Sequence, residues 1–402
     1  MESREVVVVG GGPAGSTTAA FLAQSGHDVL LLDKARFPRE KACSEYASPS
    51  LIDVLDRLGA RPAYEEEGPV RLTATEIYSP QGRTIRIEFR DGGDRRPPLT
   101  MSRSRLDPIL LDHARRSGVE VRENARVTSV LRDGGGVLGV TLDGGSGTRV
   151  AVRAQLVVGA DGLHSVVSRD LCARARSLWP RRLGLVAHYA DVEGFRSDIC
   201  EMHVGPWGYC GIAPLPGGLM SVGMALDTRR YRGTAHTREG LFDEALGMFP
   251  AIAPRLRRGH RLRSVRGVGP MARRVRKVSG EGWALVGDAA GYTDPFTGEG
   301  IYRAVRGGEL LADVATAALA HGSASRERLA PYAKARQAAF REKSLVVLIV
   351  QAVVSYPKLL EYGAARGLRH PSVRTTLAGV LGDYEDPRRV LRPRYVRDLL
   401  LP

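Results

Sequence analysis

The stretch EVVVVGGGPAGSTTAAFLAQSGHDVLLLD, residues 5–33, decides the fold. An apolar run ends at Val9, glycines follow at once, an alanine-rich segment continues to Gln24, and a second apolar run ends at Asp33. That order predicts strand, tight turn, helix and strand, one βαβ unit of a parallel sheet buried on both faces. Gly10, Gly12 and Gly15 fit the G-x-G-x-x-G fingerprint, with Pro13 and Ala14 in its variable positions. The pattern asks for a tight turn at Gly10, close backbone approach to a pyrophosphate at Gly12 and close helix-to-sheet packing at Gly15. The helix start offers free amides and partial positive charge to phosphates. Asp33 stands where an acid, about 20 residues on, accepts the ribose hydroxyls of a dinucleotide. Lys34 follows it, along the adenosine or in solvent.

The chain has 402 residues, enough for two or three domains at roughly 100–200 residues each. Its formal charge of +15 comes mostly from arginine and admits an acidic partner or an anionic ligand. Arginine is densest in RLRRGHRLRSVRGVGPMARRVRK, residues 255–277, yet no aromatic platform or helix-turn-helix pattern accompanies it, so nucleic-acid binding is not expected. Cys43, Cys172, Cys200 and Cys210 show no Cys-x-x-Cys spacing, which argues against a metal site and a disulfide scaffold and suits a reducing cytoplasm. No secretory leader is apparent. The longest apolar stretch, SLVVLIVQAVV at 344–354, is shorter than the ~20 residues of a membrane span and is expected to be a buried helix. Nothing in the sequence fixes an oligomeric state.

Parallel-sheet pieces recur downstream in two more instalments, AQLVVGADG and GWALVGDAAG, separated by strand-rich segments. The expected fold class is therefore α/β, a Rossmann-type βαβ domain interleaved with an antiparallel substrate-binding sheet. The dinucleotide domain takes residues 1–63, 101–174 and 281–326, the substrate domain 64–100 and 175–280, and a helical C-terminal region 327–402. Strands are expected at RLTATEIYS and TIRIEFR, and turns at DGGG and DGGSG.

FAD is longer than NAD and needs a second set of contacts for its ribityl chain and ring. VVGADGLHS places Asp161 and Gly162 after a buried strand, which alone is no more than a strand-end turn. GDAAGYTDPFTGEG, residues 287–300, tips the balance towards FAD. Beyond Gly287, Asp288 leaves its strand where it can accept from a ribityl hydroxyl. Pro295, Gly298 and Gly300 shape a loop that turns amides at the helix start, from Ile301, towards the flavin pyrimidine. Such a helix start stabilises negative charge on the reduced ring.

In order along the chain, GGGPAG, SRSRLD, GADG and GDAAGYTDPFTGEG resemble the glutathione-reductase-type FAD superfamily. That superfamily holds class A flavoprotein monooxygenases, geranylgeranyl-reductase-like enzymes and flavin-dependent halogenases, and the resemblance spans residues 5 to about 320. It implies that Arg103 contacts FAD phosphate or ribityl groups and that the backbone of Val127 meets adenine. FPREKACSEYASPSLIDVLDRLG resembles the segment that passes beside the flavin in reductase-like members, here with Lys41, Cys43, Ser44 and Glu45. Cys43 is a candidate catalytic residue, or else a small buried hydrophobe.

WGYCGIAPLPGGLMSVGMALD resembles the substrate-domain strand of the same reductases, but Gly211 and Ala213 stand where they usually carry Trp and Phe, which implies a roomier or differently shaped pocket. The Trp-x-Trp-x-Ile-Pro stretch of halogenases is missing. Gly291 replaces the His that often follows GDAA in aromatic hydroxylases. Tyr209, the second catalytic candidate, and His188 are candidates for lining the pocket, or else ordinary packed strand residues. The resemblance implies first an FAD-dependent monooxygenase acting on an aromatic, polyketide-like or lipid-like small molecule, with NADPH or NADH as transient donor. The alternatives are a geranylgeranyl-reductase-like enzyme of isoprenoid or lipid double bonds, and a flavin electron-transfer protein. For the second, an apolar helix flanked by basic residues can rest peripherally on an anionic membrane.

Overall fold

Four valines in a row at 6–9 and three leucines at 30–32 leave no polar face, so both sides of the strands they form must be covered. The computed structural model describes residues 2–89, 96–145, 147–175, 179, 181–381 and 384–400. Val6, Val8, Leu31, Leu156 and Val158 pack into one core beneath the helices, while Val7, Val9, Leu30, Leu32 and Val157 pack into a second on the opposite face. The strands Trp283–Leu285, Arg149–Gly159, Glu2–Val9, Val29–Leu32 and Glu120–Arg122 lie side by side and parallel. A meander of Val127–Arg132 and Val137–Asp143 adds antiparallel to the N-terminal half of Arg149–Gly159. Ser146 of the expected DGGSG turn and Arg90 of the expected TIRIEFR strand lie outside the described residues.

The second sheet runs His260–Arg261, Arg182–Ala190, Leu219–Asp227, Gly208–Leu215, Ile199–Gly205, Ala74–Tyr78 and Thr84–Glu88. All its neighbours are antiparallel except Ile199–Gly205 against Ala74–Tyr78. Period-two alternation divides its residues. Cys210, Ile212, Val222 and Met224 face helices Arg238–Leu246 and Ala253–Arg258. Tyr209, Ala213 and Ala225 face the other way, into a core shared with Val354, Leu360 and Ala364 of the C-terminal helices.

The fingerprint helix Pro13–Gln24 crosses the long helix Gly300–Ala320 closely. A Cβ on Gly308 would lie 2.7 Å from Thr18 Oγ1 and 3.0 Å from the Ala14 carbonyl, so glycine is what lets the two helix starts converge. Gly10 has φ +107°, and its absent Cβ would meet the Ala160 carbonyl at 2.6 Å. Gly15 is tighter still, with 1.8 Å from a Cβ to the Gly10 carbonyl.

The C-terminal region is helical, through Arg326–Ser355, Pro357–Arg369, Pro371–Leu381 and Pro393–Leu400. The SLVVLIVQAVV stretch departs from its expectation as a buried helix. Val346, Val347, Gln351 and Val354 are buried, whereas Leu345, Leu348 and Ile349 are exposed. Among the described residues no single helix is long and apolar enough to cross a membrane; Arg326–Ser355 and Pro357–Arg366 together reach that length and composition but bend by 109°.

Gly15→Ala forces its new methyl into a carbonyl that cannot retreat, so it should lower the thermal midpoint by several degrees and empty the protein of flavin. Gly307→Ala, in the same helix as Gly308 but with nothing within 4 Å of its Cβ position, should instead stabilise by up to about 1 kcal/mol. Equal effects of the two substitutions in thermal melts would contradict this packing argument.

Candidate functional site

A cavity of about 990 Å³ lies between the two sheets, where the starts of Pro13–Gln24 and Gly300–Ala320 meet. Gly10, Gly12, Pro13, Ala14, Asp33, Lys34, Arg103, Val127, Asp161, Gly287, Asp288, Pro295, Gly298, Gly300 and Ile301 all line it, as do Cys43 and Tyr209. Two residues fall elsewhere. Gly15 is absent from the lining because its part is the packing against Gly10. His188 is not on the cavity wall: its side chain bonds Glu45, next to the strand Tyr46–Ala47.

At the fingerprint end, Asp33 takes Gly11 N–H at 2.7 Å and Ala35 N–H at 2.8 Å, so the acid also pins the glycine turn. Around Gly12, a Cβ would meet only Arg39 and Arg103 guanidinium nitrogens, at 3.4 and 3.8 Å. Backbone amides and two cations thus face the place where a pyrophosphate would sit. Arg103 is buried and bidentate to Asp107, at 2.6 and 2.9 Å, and Arg39 reaches the same carboxylate at 3.1 Å. Burial works against the Arg103 charge, but Asp107 outweighs it and raises its pKa. His164 lies on the same wall, its pKa lowered by burial and by Arg273, Arg174, Lys34 and Lys41. That excess of positive charge suits a dianionic diphosphate.

The far end abuts the fingerprint. A Cβ on Gly287, which has φ +58°, would lie 2.8 Å from Ala14 Cβ. Gly298, with φ +71°, packs on the Tyr46 ring, where a Cβ would lie 2.2 Å away. Asp161 Oδ2 accepts from Val166 N–H at 2.6 Å, while its buried Oδ1 has no partner. Burial raises its pKa. Lys41 extends beside Gly162, its Nζ 3.2 Å from that glycine's Cβ position; burial lowers its pKa against the pull of Asp288. An orphaned acceptor, a glycine cradle at each end and a basic centre fit an FAD laid from Asp33 to the 295–300 loop. The two glycine stretches serve one site.

The loop 287–300 is itself clamped. Asp294 is buried; its Oδ2 accepts from Arg182 at 2.7 Å, and its Oδ1 from Gln351 at 2.7 Å, Phe296 N–H at 3.0 Å and the Tyr209 hydroxyl. Glu299, also buried, pairs with Lys343 at 2.9 Å. Burial and Asp294 raise the Tyr209 pKa well above its usual value. Its hydroxyl is committed to the loop, so Tyr209 offers substrate a ring edge on Phe296 rather than an acid.

Gly184, Val186, Gly211, Gly223 and Ala225 pave the cavity on the side of the antiparallel sheet. Gly211 and Gly223 are cross-strand partners, so no side chain rises from that pair. A second, apolar recess of about 80 Å³ shares Ser44, Tyr46, Met202, Gly211, Pro295 and Gly298 with the cavity, and continues between Ile77, Ile87, Phe89, Cys200 and Ala213. The sequence reading missed Tyr46, Tyr292 and Arg39 as lining residues. Tyr292 sat in the quoted loop, but nothing local shows which way its ring turns.

This geometry defines an FAD-dependent oxidoreductase. The chain belongs to the FAD binding domain family, whose profile matches residues 3–343. It is 30% identical over 339 residues to the digeranylgeranylglycerophospholipid reductase of Methanosarcina acetivorans, covering 81% of this chain and 78% of that one. A geranylgeranyl bacteriochlorophyll reductase-like protein of Thermoplasma acidophilum superposes with a TM-score of 0.79 at 24% identity, over 100% of each chain. A flavin-dependent brominase superposes with a TM-score of 0.81 at 20% identity, over 98% of this chain and 99% of that one. The fold is thus common to reductases and halogenases.

His188 Nε2 lies 2.8 Å from Glu45 Oε2, and Glu45 Oε1 accepts from Arg103 N–H at 3.0 Å. Burial disfavours the imidazolium, but the Glu45 hydrogen bond and the charges of Glu45 and Glu40 outweigh it and raise the His188 pKa. A raised folded-state value means that the stabilisation is fully present below the unfolded pKa of about 6.5 and is lost as pH rises through the folded one. Denaturant titrations from about pH 5.5 to about pH 9 should show His188→Asn less stable than wild type in acid, with the gap closing above neutrality. A gap independent of pH would contradict the charged pair.

Proposed function

We propose that this chain reduces carbon–carbon double bonds of an isoprenoid or related lipid, with NADPH or NADH as the electron donor. On the sequence alone this reading stood second to monooxygenation; the glycine-paved floor and the apolar recess move it first. The recess carries the argument. Its lining is mostly aliphatic and aromatic, with the Glu201 carboxylate turned to Arg255 and His203, and it opens off the cavity beside Ser44 and the 295–298 loop. An unfunctionalised hydrocarbon chain gains from such a wall, whereas a polyhydroxylated aromatic would leave its polar groups unpaired there. Relatedness to a lipid reductase over most of both chains supports the same reading.

FAD supplies the two-electron, hydride-type chemistry when bound. The protein has to place the double bond, exclude water and provide one proton. Cys43 lines the cavity; burial raises its thiol pKa, against the pull of Arg103, so Sγ keeps its proton at neutral pH. After that proton passes to carbon, the Arg103 guanidinium stabilises the thiolate. Glu45 N–H, 3.3 Å from Sγ, offers a further donor to the same sulfur.

Turnover should proceed without oxygen. With NADPH or NADH under argon, a prenyl lipid should give a product heavier by two hydrogens; obligatory oxygen uptake with a hydroxylated product would overturn the assignment. Cys43→Ala should slow product formation by about 10²-fold while the nicotinamide still bleaches the flavin at the wild-type rate. An unchanged product rate would exclude the thiol as proton source.

The wall formed by Gly211 sets the length of chain accepted. Gly211→Phe should raise KM for a long-chain substrate by roughly tenfold or more and leave a short-chain one within about twofold. A uniform loss across chain lengths in steady-state assays would show that the recess does not hold the chain.

A further inference from the structure

Exposed apolar side chains gather at one place. Leu345, Leu348, Ile349, Tyr356, Leu359 and Tyr362 belong to the bent pair Arg326–Ser355 and Pro357–Arg369, with Tyr356 at the bend 55% exposed and Leu359 50% exposed. Residues 345, 349, 352 and 356 fall at helical spacing on one stripe, and 356, 359 and 362 carry it round the elbow. No Asp, Glu, Lys or Arg occurs from Ser344 to Pro357.

The flank of the elbow is basic and aromatic. Arg229 lies close enough to Tyr356 to be influenced by it, and Arg229, Arg230, Arg232 and Lys358 are exposed. Trp207, 44% exposed, is tied to the same corner: its carbonyl accepts Asp227 N–H at 2.8 Å, and Asp227 pairs with Arg229 at 3.0 Å. An apolar stripe with Trp and Tyr at its edge and guanidinium groups beside it matches the interface of an anionic bilayer, with aromatic rings at headgroup depth. A second copy of this chain fits poorly, because a two-fold contact would bring the same arginines together on a protein of net charge +15.

Behind the stripe, the elbow reaches the site. Val354, Leu360 and Ala364 share a core with Ile77, Ile87, Phe89 and Cys200, four walls of the apolar recess. Gln351 and Ser355 bond Arg182, which holds Asp294 of the flavin-side loop.

We propose that the elbow centred on Tyr356 seats the protein on an anionic lipid surface. The purpose of that seat, delivery of a membrane-borne substrate into the recess, rests on the reductase reading. Flotation with vesicles of phosphatidylcholine and about a quarter phosphatidylglycerol tests the seat alone. Wild-type holoprotein should float with them, and phosphatidylcholine vesicles or added salt should release most of it. Leu348→Glu with Leu359→Glu should cut the bound fraction by about tenfold, and Arg230→Glu with Lys358→Glu by roughly fivefold. Flavin content and turnover of a short, water-soluble isoprenoid should stay at wild-type levels in both variants.

Wild-type protein that remains unbound would overturn the proposal, as would vesicle binding indifferent to both double variants. So would a dimer in sedimentation that the leucine variants convert to monomer. Binding that behaves as expected in a protein reducing no isoprenoid would leave the seat standing and remove the reductase reading instead.

Discussion

The buried carboxylate of Asp294 is the point on which the arrangement turns. It accepts from the substrate sheet through Arg182 and Tyr209, from the C-terminal helix through Gln351, and from its own loop through Phe296 N–H. Stripping water from a carboxylate and a guanidinium costs several kcal/mol per ion, roughly what the Coulombic attraction returns when every lone pair is used. Four donors on two oxygens meet that condition. The pair therefore adds little net stability, but losing either member would leave a bare buried charge, a cost of about 3–5 kcal/mol. Its consequence is geometric: the loop that would meet the flavin ring can move only if sheet and helix move with it.

The same loop begins where the fingerprint ends. Gly287 abuts Ala14, and Gly308 lets the helix that follows cross the fingerprint helix at backbone distance. Two helix starts are thereby aimed into one cavity, one at the pyrophosphate end and one at the ring end. Their partial positive charges add to those of Arg39, Arg103 and Lys41 around one cavity. Electrostatic preference for an anionic cofactor, more anionic still when reduced, is thus built into the backbone as much as into side chains.

Local physics was legible in the sequence and distant pairing was not. Gly10, Gly12 and Asp33 declare themselves because strand, turn, helix and acid are consecutive, so each demand is met within about thirty residues. The same holds for Asp161 and Asp288, which follow the apolar strand ends LVVG and WALV. Gly211 and Ala213, where bulk is missing from the strand, both line the apolar recess, since a strand face without large side chains leaves space beside it. The side-chain partners of Asp294 lie 57 to 112 residues away in the chain, and no periodicity links them. Tyr209 accordingly looked like a catalytic candidate in the pocket lining, and its hydroxyl is a loop anchor. His188 looked like pocket lining and is a partner of Glu45, because alternation along a strand gives a face but not what stands against it.

Halogenase and reductase share this backbone, so the backbone cannot decide the chemistry. What differs between such enzymes must lie in the wall facing the ring and in the source of protons. Here the wall is glycine against glycine across Gly211 and Gly223, opening onto a recess without a charged group except Glu201, whose carboxylate is turned to Arg255 and His203. A hydrocarbon loses nothing by entering such a space and gains by leaving water. On the reductase reading proposed above, the Cys43 thiol, its pKa raised by burial and its sulfur beside the Arg103 guanidinium, would be a proton source matched to a carbon acceptor. The recess is backed by Val354, Leu360 and Ala364 of the elbow helices, so the proposed lipid seat and the proposed chain-binding space share one core.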